Sequence, residues 1–232
     1  MSAFNVSVVI PSYQHGHLLE RAVYSAIRAG AGEVVIVDDC STDATERIGR
    51  ALAKAPEIMY LRNPFHAGVI YSRNRAVYAA TYDLIVPLDA DDQLIMLAPL
   101  VDEWQPGTWV YGGWKELVET KPFGNRGEIR KYDDFEPPPV GMLARKELGW
   151  VTMLYHRDDF NRVGGYDPVF SIGNEIWAFQ RALYAAGVLP VRVPDVVFER
   201  NTDAPRTERA RAWAHVIKPL IEDLYPYAEG VR

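Results

Sequence analysis

The 232-residue chain has a single cysteine, Cys40, and so no internal disulfide. A reducing compartment is the default this implies. No stretch approaches the roughly 18 uninterrupted apolar residues of a membrane span, and the opening "MSAFNVSVVI" lacks the basic region and apolar run of a signal peptide. The expectation is a soluble, cytoplasmic protein, with room for a peripheral membrane contact. Basic residues do not predominate either: 25 Lys and Arg face 31 Asp and Glu, for a formal net charge of -6. Neutralising phosphates takes clustered cations, so there is no strong nucleic-acid signal. One run, Arg206, Arg209 and Arg211, keeps activity on modified DNA as a lesser alternative, although such a run is usually a solvated face. Two nucleotide signatures are missing as well. No Gly-x-Gly-x-x-Gly follows the first apolar run, which argues against a dinucleotide dehydrogenase, and no Gly-x-x-x-x-Gly-Lys-Ser/Thr occurs, which excludes a P-loop NTPase.

What is present is 48% hydrophobic content, enough to bury one substantial core, and a clear alternation of two periods over the first hundred residues. Val6 to Ile10 is a continuous apolar run, suited to a strand buried on both faces of a parallel sheet. His17 to Ala29 has helical spacing and stops at Gly30 and Gly32. The pattern then predicts a strand over Val34–Val37, a helix capped by Ser41 or Asp43 and running to about Lys54, a strand over Ile58–Leu61, a helix over Val69–Ala80 and a strand over Leu84–Leu88. Such alternation with short connections means a parallel sheet covered by helices. Polar residues gather after the strands: Ser12 and Tyr13, Asp38 and Asp39, and Asp89 to Asp92. Ligands of open α/β sheets bind at the carboxyl ends of strands, so three polar clusters point at one crevice.

The second half is less regular. Trp109–Val118 reads as a strand interrupted by Gly112 and Gly113, residues 121–141 as a long connection, Val151–Tyr155 as a strand, Glu175–Ala186 as a helix, Val196–Phe198 as a short strand and Thr207–Tyr225 as a terminal helix. One continuous domain over 1–232 is expected, with a nucleotide-binding half (1–100) and an acceptor-shaping half (101–232).

"PLDADD" places Asp89, Asp91 and Asp92 directly after a buried strand. One such Asp would be read as a helix cap or a solvated turn. Three close like charges repel and call for something positive. A hard divalent cation, Mg2+ or Mn2+, takes carboxylate oxygens together with substrate phosphates. The five histidines, His15, His17, His66, His156 and His215, show no metal-ligand spacing and default to surface or packing roles, while Trp104, Trp109, Trp114, Trp150 and Trp177 default to the core, with one or two left for an acceptor-stacking wall.

The blocks "VSVVIPSYQHGHLLERAVYSA", "EVVIVDDCSTDAT", "RNPFHAGVIYSRNRAVYAATYDLIVPLDADD" and "GGYDPVFSIGNEIWAFQRAL" resemble, in order, those of family-two glycosyltransferases of the GT-A fold. The resemblance covers residues 6 to about 186. It implies an α/β fold with a mostly parallel, Rossmann-like central sheet flanked by helices and a less regular acceptor-side half. It further implies metal-dependent, inverting transfer from a nucleotide sugar, with UDP as the default nucleotide, to an acceptor that the sequence does not name. A sugar-nucleotide binder without transfer activity is the alternative, although such a chain would be expected to lose its metal carboxylates.

Carried over by position, Pro11, Ser12 and Tyr13 line the nucleotide base, and Asp39, with Asp38 beside it, accepts from base or ribose. Gly68 permits close backbone approach. Arg73 and Asn74 match the family's Arg-Asn pair, with Arg73 reaching the nucleotide or diphosphate. Asp89, Ala90 and Asp91 match its Asp-x-Asp, with the metal held chiefly by Asp91 and with Asp92 as a further ligand. Arg200 stands where relatives place a cation near the leaving phosphates. The late acidic pair of the family is here Asn174-Glu175. Glu175 therefore takes the place of the catalytic base, one methylene longer than the usual Asp.

Overall fold

The structure is a computed structural model that describes residues 3–119, 126–132, 151–170 and 174–201, together with 219, 221, 223 and 224. Its front half alternates strand and helix: β1 (Phe4–Ser12), α1 (Gly16–Arg28), β2 (Ala31–Asp38), α2 (Thr45–Leu52), β3 (Ile58–Arg62), α3 (Val69–Ala79) and β4 (Leu84–Pro87). The four strands are parallel in the order β3-β2-β1-β4. Their unbroken apolar runs follow from cover on both faces. Val8, Ile10, Val34 and Ile36 pack with Leu19, Val23 and Ala26 of α1. The alternate residues Val9, Val35, Val37 and Ile85 pack with Ile70, Ala76 and Val77 of α3. Ile36 is fully buried, and truncating such a side chain to Ala costs about 2–5 kcal/mol.

The second half continues the sheet with β5 (Gln93–Leu94), α4 (Ala98–Glu103), β6 (Thr108–Glu119), β7 (Arg126–Tyr132), β8 (Met153–His156), α5 (Arg157–Arg162), a 3-10 turn (Pro168–Phe170), α6 (Glu175–Ala185) and β9 (Leu189–Asn201). β8 lies antiparallel between β4 and β6, β9 runs parallel beside β6, and β5 and β7 pair antiparallel with β9 and β6. The strands β1–β4, β6 and β9 thus share one direction, which makes the sheet mostly parallel.

Several boundaries differ from the sequence pattern. Gly32 does not end α1. The helix stops at Arg28 with Gly30 at φ 102°, and Gly32 lies inside β2, where a Cβ would run into the Phe4 carbonyl oxygen. Gly112 and Gly113 mark a register shift within a continuous β6, because a Cβ on Gly112 would strike Val197 and the Asp195 carbonyl. β9 runs from Leu189 to Asn201, through Pro190 and Pro194. Those prolines, together with Arg192 and Asp195, disguise all but its apolar stretch Val196–Phe198. Within the expected connection 121–141, residues 126–132 form β7. Of the helix expected over Thr207–Tyr225, only 219, 221, 223 and 224 are among the described residues; these are helical, and Ile221 is fully buried in the cluster that holds Ile70 and Val77. Trp109 and Trp177 are core residues as expected, whereas Trp150 lies outside the described residues. No helix among the described residues is long and apolar enough to cross a membrane.

Candidate active site

Because Ser12 pairs with Asp38 in the β1–β2 register and the Asp39 N–H donates to the Ser12 carbonyl at 2.8 Å, the ends of β1 and β2 emerge together. With the segment after β4 and the starts of α3 and α6, they enclose a crevice of about 440 Å³ whose walls include Pro11, Ser12, Tyr13, Asp39, Arg73 and Asp89. Ala90, Asp91 and Glu175 line it too. Most sequence-predicted site residues therefore converge on one place.

The two aspartates after β2 part company. Asp38 is fully buried and turned away from the crevice walls. It accepts from Ser41 N–H at 2.8 Å and from Tyr60 O–H at 2.7 Å, with the Arg62 guanidinium 3.4 Å away, and so bolts the β2–α2 loop to β3. Asp39, the next residue, faces the crevice. Its carboxylate accepts from Asn63 Nδ2 (2.7 Å), Ala67 N–H (2.9 Å) and Gly68 N–H (2.8 Å), and His66 Nδ1 stands 2.7 Å away. Burial alone would raise its pKa, but these donors and His66 outweigh it and hold the carboxyl below its ordinary value. Gly68 takes φ 92° at the start of α3, and a Cβ there would meet nothing within 4 Å. The backbone angle is therefore what requires glycine. The Tyr13 ring stacks on His66 with centroids 4.1 Å apart.

Among the described residues, three non-glycine residues have positive φ: Gln14 at 59°, Cys40 at 64° and Asn174 at 64°. Each adjoins a crevice residue, Tyr13, Asp39 or Glu175. Such angles cost about 1–3 kcal/mol and persist where surroundings enforce them. Gln14 is held by Thr42 Oγ1 and by the Thr42 and Asp43 N–H groups. Asn tolerates the left-handed region better than Glu, which gives the amide at 174 a physical reason.

The crevice also holds a carboxylate cluster that follows β4. Carboxylate oxygens of Asp89, Asp91 and Asp92 lie within 4.8 Å of one another. Burial, then the neighbouring Asp89 charge, raises the pKa of Asp91 and pushes that of Asp92 up to about 8, although Asn201 N–H donates to Asp92 at 2.9 Å. The cluster is thus short of positive charge. A hard divalent cation bound by several oxygens fits it. Arg200, on β9, is outside the crevice walls but close enough for its charge to favour ionised Asp91 and Asp92. The backbone carbonyl of Asp91 is held by Arg21 at 2.7 Å.

Arg73 joins the parts. Its side chain is 2% exposed, and it donates to Asp89 at 3.1 Å and to Glu175 at 3.2 Å. Burial would lower its pKa, but Asp89 and Glu175 win and raise it. The guanidinium sits 5.2 Å from the Tyr166 ring centre. Asn74 stays out of the crevice walls and clamps Tyr166 instead, donating to its carbonyl at 2.8 Å and accepting from its N–H at 2.9 Å. Sequence reasoning missed His66 and His15, which both line the crevice. Their signal was position alone, just beyond the ends of β3 and β1. Arg206, Arg209 and Arg211 lie outside the described residues.

Residues 7–164 match the family described as Glycosyl transferase family 2. The putative teichuronic acid biosynthesis glycosyltransferase TuaG of Bacillus subtilis (strain 168) is 36% identical over 93 residues, 38% of this chain and 36% of the relative. The succinoglycan biosynthesis protein ExoU of Rhizobium meliloti (strain 1021) is 26% identical over 202 residues, 77% of this chain and 57% of the relative. The chain thus spans only part of these curated relatives. Among solved structures, S. aureus TarS 1-349 in complex with UDP has TM-score 0.70 and 16% identity, covering 99% of this chain and 68% of that one. The mannosyltransferase PcManGT from Pyrobaculum calidifontis, in complex with GDP-Man and Mn2+, has TM-score 0.69 and 20% identity, covering 98% and 66%. The likeness bears out the expected α/β fold of GT-A type.

Proposed function

The chain belongs to glycosyl transferase family 2, and on that premise we propose that it moves a sugar from a nucleotide-sugar donor to a hydroxyl acceptor with inversion, using a divalent metal. The observation that carries this reading is Arg73, whose one guanidinium bonds both Glu175 and Asp89 and so sets a candidate base beside the carboxylate cluster. A cation held by Asp91, with Asp89 and Asp92, would supply charge neutralisation for the leaving diphosphate.

In the proposed reaction, Glu175 takes the proton of the acceptor hydroxyl as its oxygen bonds to the anomeric carbon. The bond from that carbon to the diphosphate oxygen breaks, and the nucleoside diphosphate leaves from the opposite face. Arg73 orients Glu175 and offers a buried cation to the phosphates. Residues 1–100 hold the donor and 101–232 shape the acceptor side in this reading. We place UDP first, in line with the UDP bound by TarS, and guanosine donors second, since PcManGT holds GDP-Man. A screen of UDP- and GDP-sugars with and without Mn2+, read by release of nucleoside diphosphate, tests the reading. Release that needs both donor and cation supports it. No release from any donor contradicts it.

A further inference from the structure

Tyr166 reaches its place through two glycines. Gly164 and Gly165 follow α5 at φ 81° and 78°, angles that glycine takes freely and other residues rarely. A Cβ on Gly165 would come 2.8 Å from Phe160 Cζ and 3.0 Å from Asn74 Oδ1. The turn therefore lets the chain close on α3, where Asn74 bonds the Tyr166 backbone through both its N–H and its carbonyl. The side chain fixed in this way is fully buried. Its ring centre lies 5.2 Å from the guanidinium carbon of Arg73, the neighbour of Asn74 on α3. It also lies 4.3 Å from the ring centre of Phe179, one turn along α6 from Glu175. The one ring thus touches both helices whose starts carry the Arg73–Glu175 tie.

The tie needs such a support. Arg73 reaches Glu175 through Nη1 and Asp89 through Nη2, and its buried Nε has no hydrogen-bond partner among the described residues. One bond to each of two separate carboxylates leaves the guanidinium plane free to rock. An aromatic face within about 6 Å attracts the cation and gives that plane a fixed neighbour. We propose that Tyr166 is a positioning residue, whose aromatic face sets the Arg73 guanidinium and, through it, the Glu175 carboxylate. The inference rests on the sugar-transfer reading of the crevice. It places the need in the ring and not in the hydroxyl, whose partner is the buried Tyr155 hydroxyl at 3.3 Å. Neither tyrosine lines the crevice, so Tyr166 acts only through Arg73. A side chain that served the core alone would tolerate an apolar replacement of similar volume.

The test uses the full chain with Mn2+ and reads release of nucleoside diphosphate from a UDP- or GDP-sugar, with water in the acceptor's place. A misplacement of about 1 Å can cost roughly a hundredfold in rate. Tyr166→Leu is therefore expected to lower kcat by about that factor while UDP binding, followed by calorimetry, weakens by less than about tenfold. Tyr166→Phe keeps the ring and should restore most of the release. Added to Arg73→Lys, Tyr166→Leu should cost little more, since residues that act as one unit are not additive. Release at the wild-type rate in Tyr166→Leu would overturn the proposal. So would a loss in Tyr166→Phe equal to that in Tyr166→Leu, which would place the need in the hydroxyl. Equal loss of UDP binding and release would overturn it as well, as a sign of general damage. A wild-type chain that releases nothing from any UDP- or GDP-sugar would instead defeat the sugar-transfer reading, and this inference with it.

Discussion

Arg73 Nη1 lies 3.2 Å from Glu175 Oε1, a contact between residues 102 apart in the sequence. It is the tie between the start of α3 and the start of α6, and it exists because both helices begin at the crevice rim. The Asn74 clamp on Tyr166 and the Tyr166 ring beneath the guanidinium hold that tie in place.

Arg73→Lys should therefore fail as a conservative change. Lys is a point charge without the planar fork that serves two partners at once. The variant is expected to lose stability by about 1–3 kcal/mol, for a buried group whose hydrogen bonds are broken, and to lose most transfer activity. Thermal melts and product assays on one preparation check both. Unchanged values would remove Arg73 from its central place.

The carboxylate cluster gives a pH signature. The Asp92 pKa is pushed up to about 8 from 3.8, so without metal the folded chain keeps a proton that the unfolded chain has released. Stability from this group is complete below about pH 4 and is lost as pH rises toward 8. A cation binds the ionised form and offsets that loss. The difference in Tm between Mn2+ and EDTA should widen from pH 5 to pH 8. Asp91→Asn should shrink the difference and remove most metal-dependent donor turnover.

Asp38 and Asp39 should separate by assay. Asp38→Asn disturbs a buried acceptor of Ser41 and Tyr60 and removes the charge beside the Arg62 guanidinium. It is expected to lower Tm by several degrees, at about 2–4 °C per kcal/mol for a chain of this size, with UDP affinity little changed. Asp39→Asn should affect UDP affinity more than stability. The reverse order would contradict the placement of the two side chains.

The front half of the fold was legible because each strand is buried on both faces and reads as an unbroken apolar run, as Val6–Ile10 and Val34–Val37 do. β9 was not, because Pro190, Pro194, Arg192 and Asp195 break its pattern while β6 and β5 support it from either side. The convergence of Asp39, Arg73, Asp89 and Glu175 followed from strand ends and ordered motifs. The parting of Asp38 from Asp39 did not, since adjacent residues at a strand end face opposite ways and only the packed loop fixes which one enters the crevice. His66 carried no spacing signal, and its place depends on a contact with Asp39 27 residues away.

The central claim is that Glu175 is the base of a sugar transfer. At the first turn of α6 a carboxylate that merely favours a helix start would be worth about 1 kcal/mol or less. Glu175→Gln keeps the shape and an acceptor for Arg73 while removing the proton-accepting charge. Donor binding by calorimetry and transfer rate should be measured on that one variant. The expected result is nearly unchanged donor affinity with transfer reduced roughly a hundredfold or more; a Gln variant that transfers sugar at close to the wild-type rate would contradict the assignment.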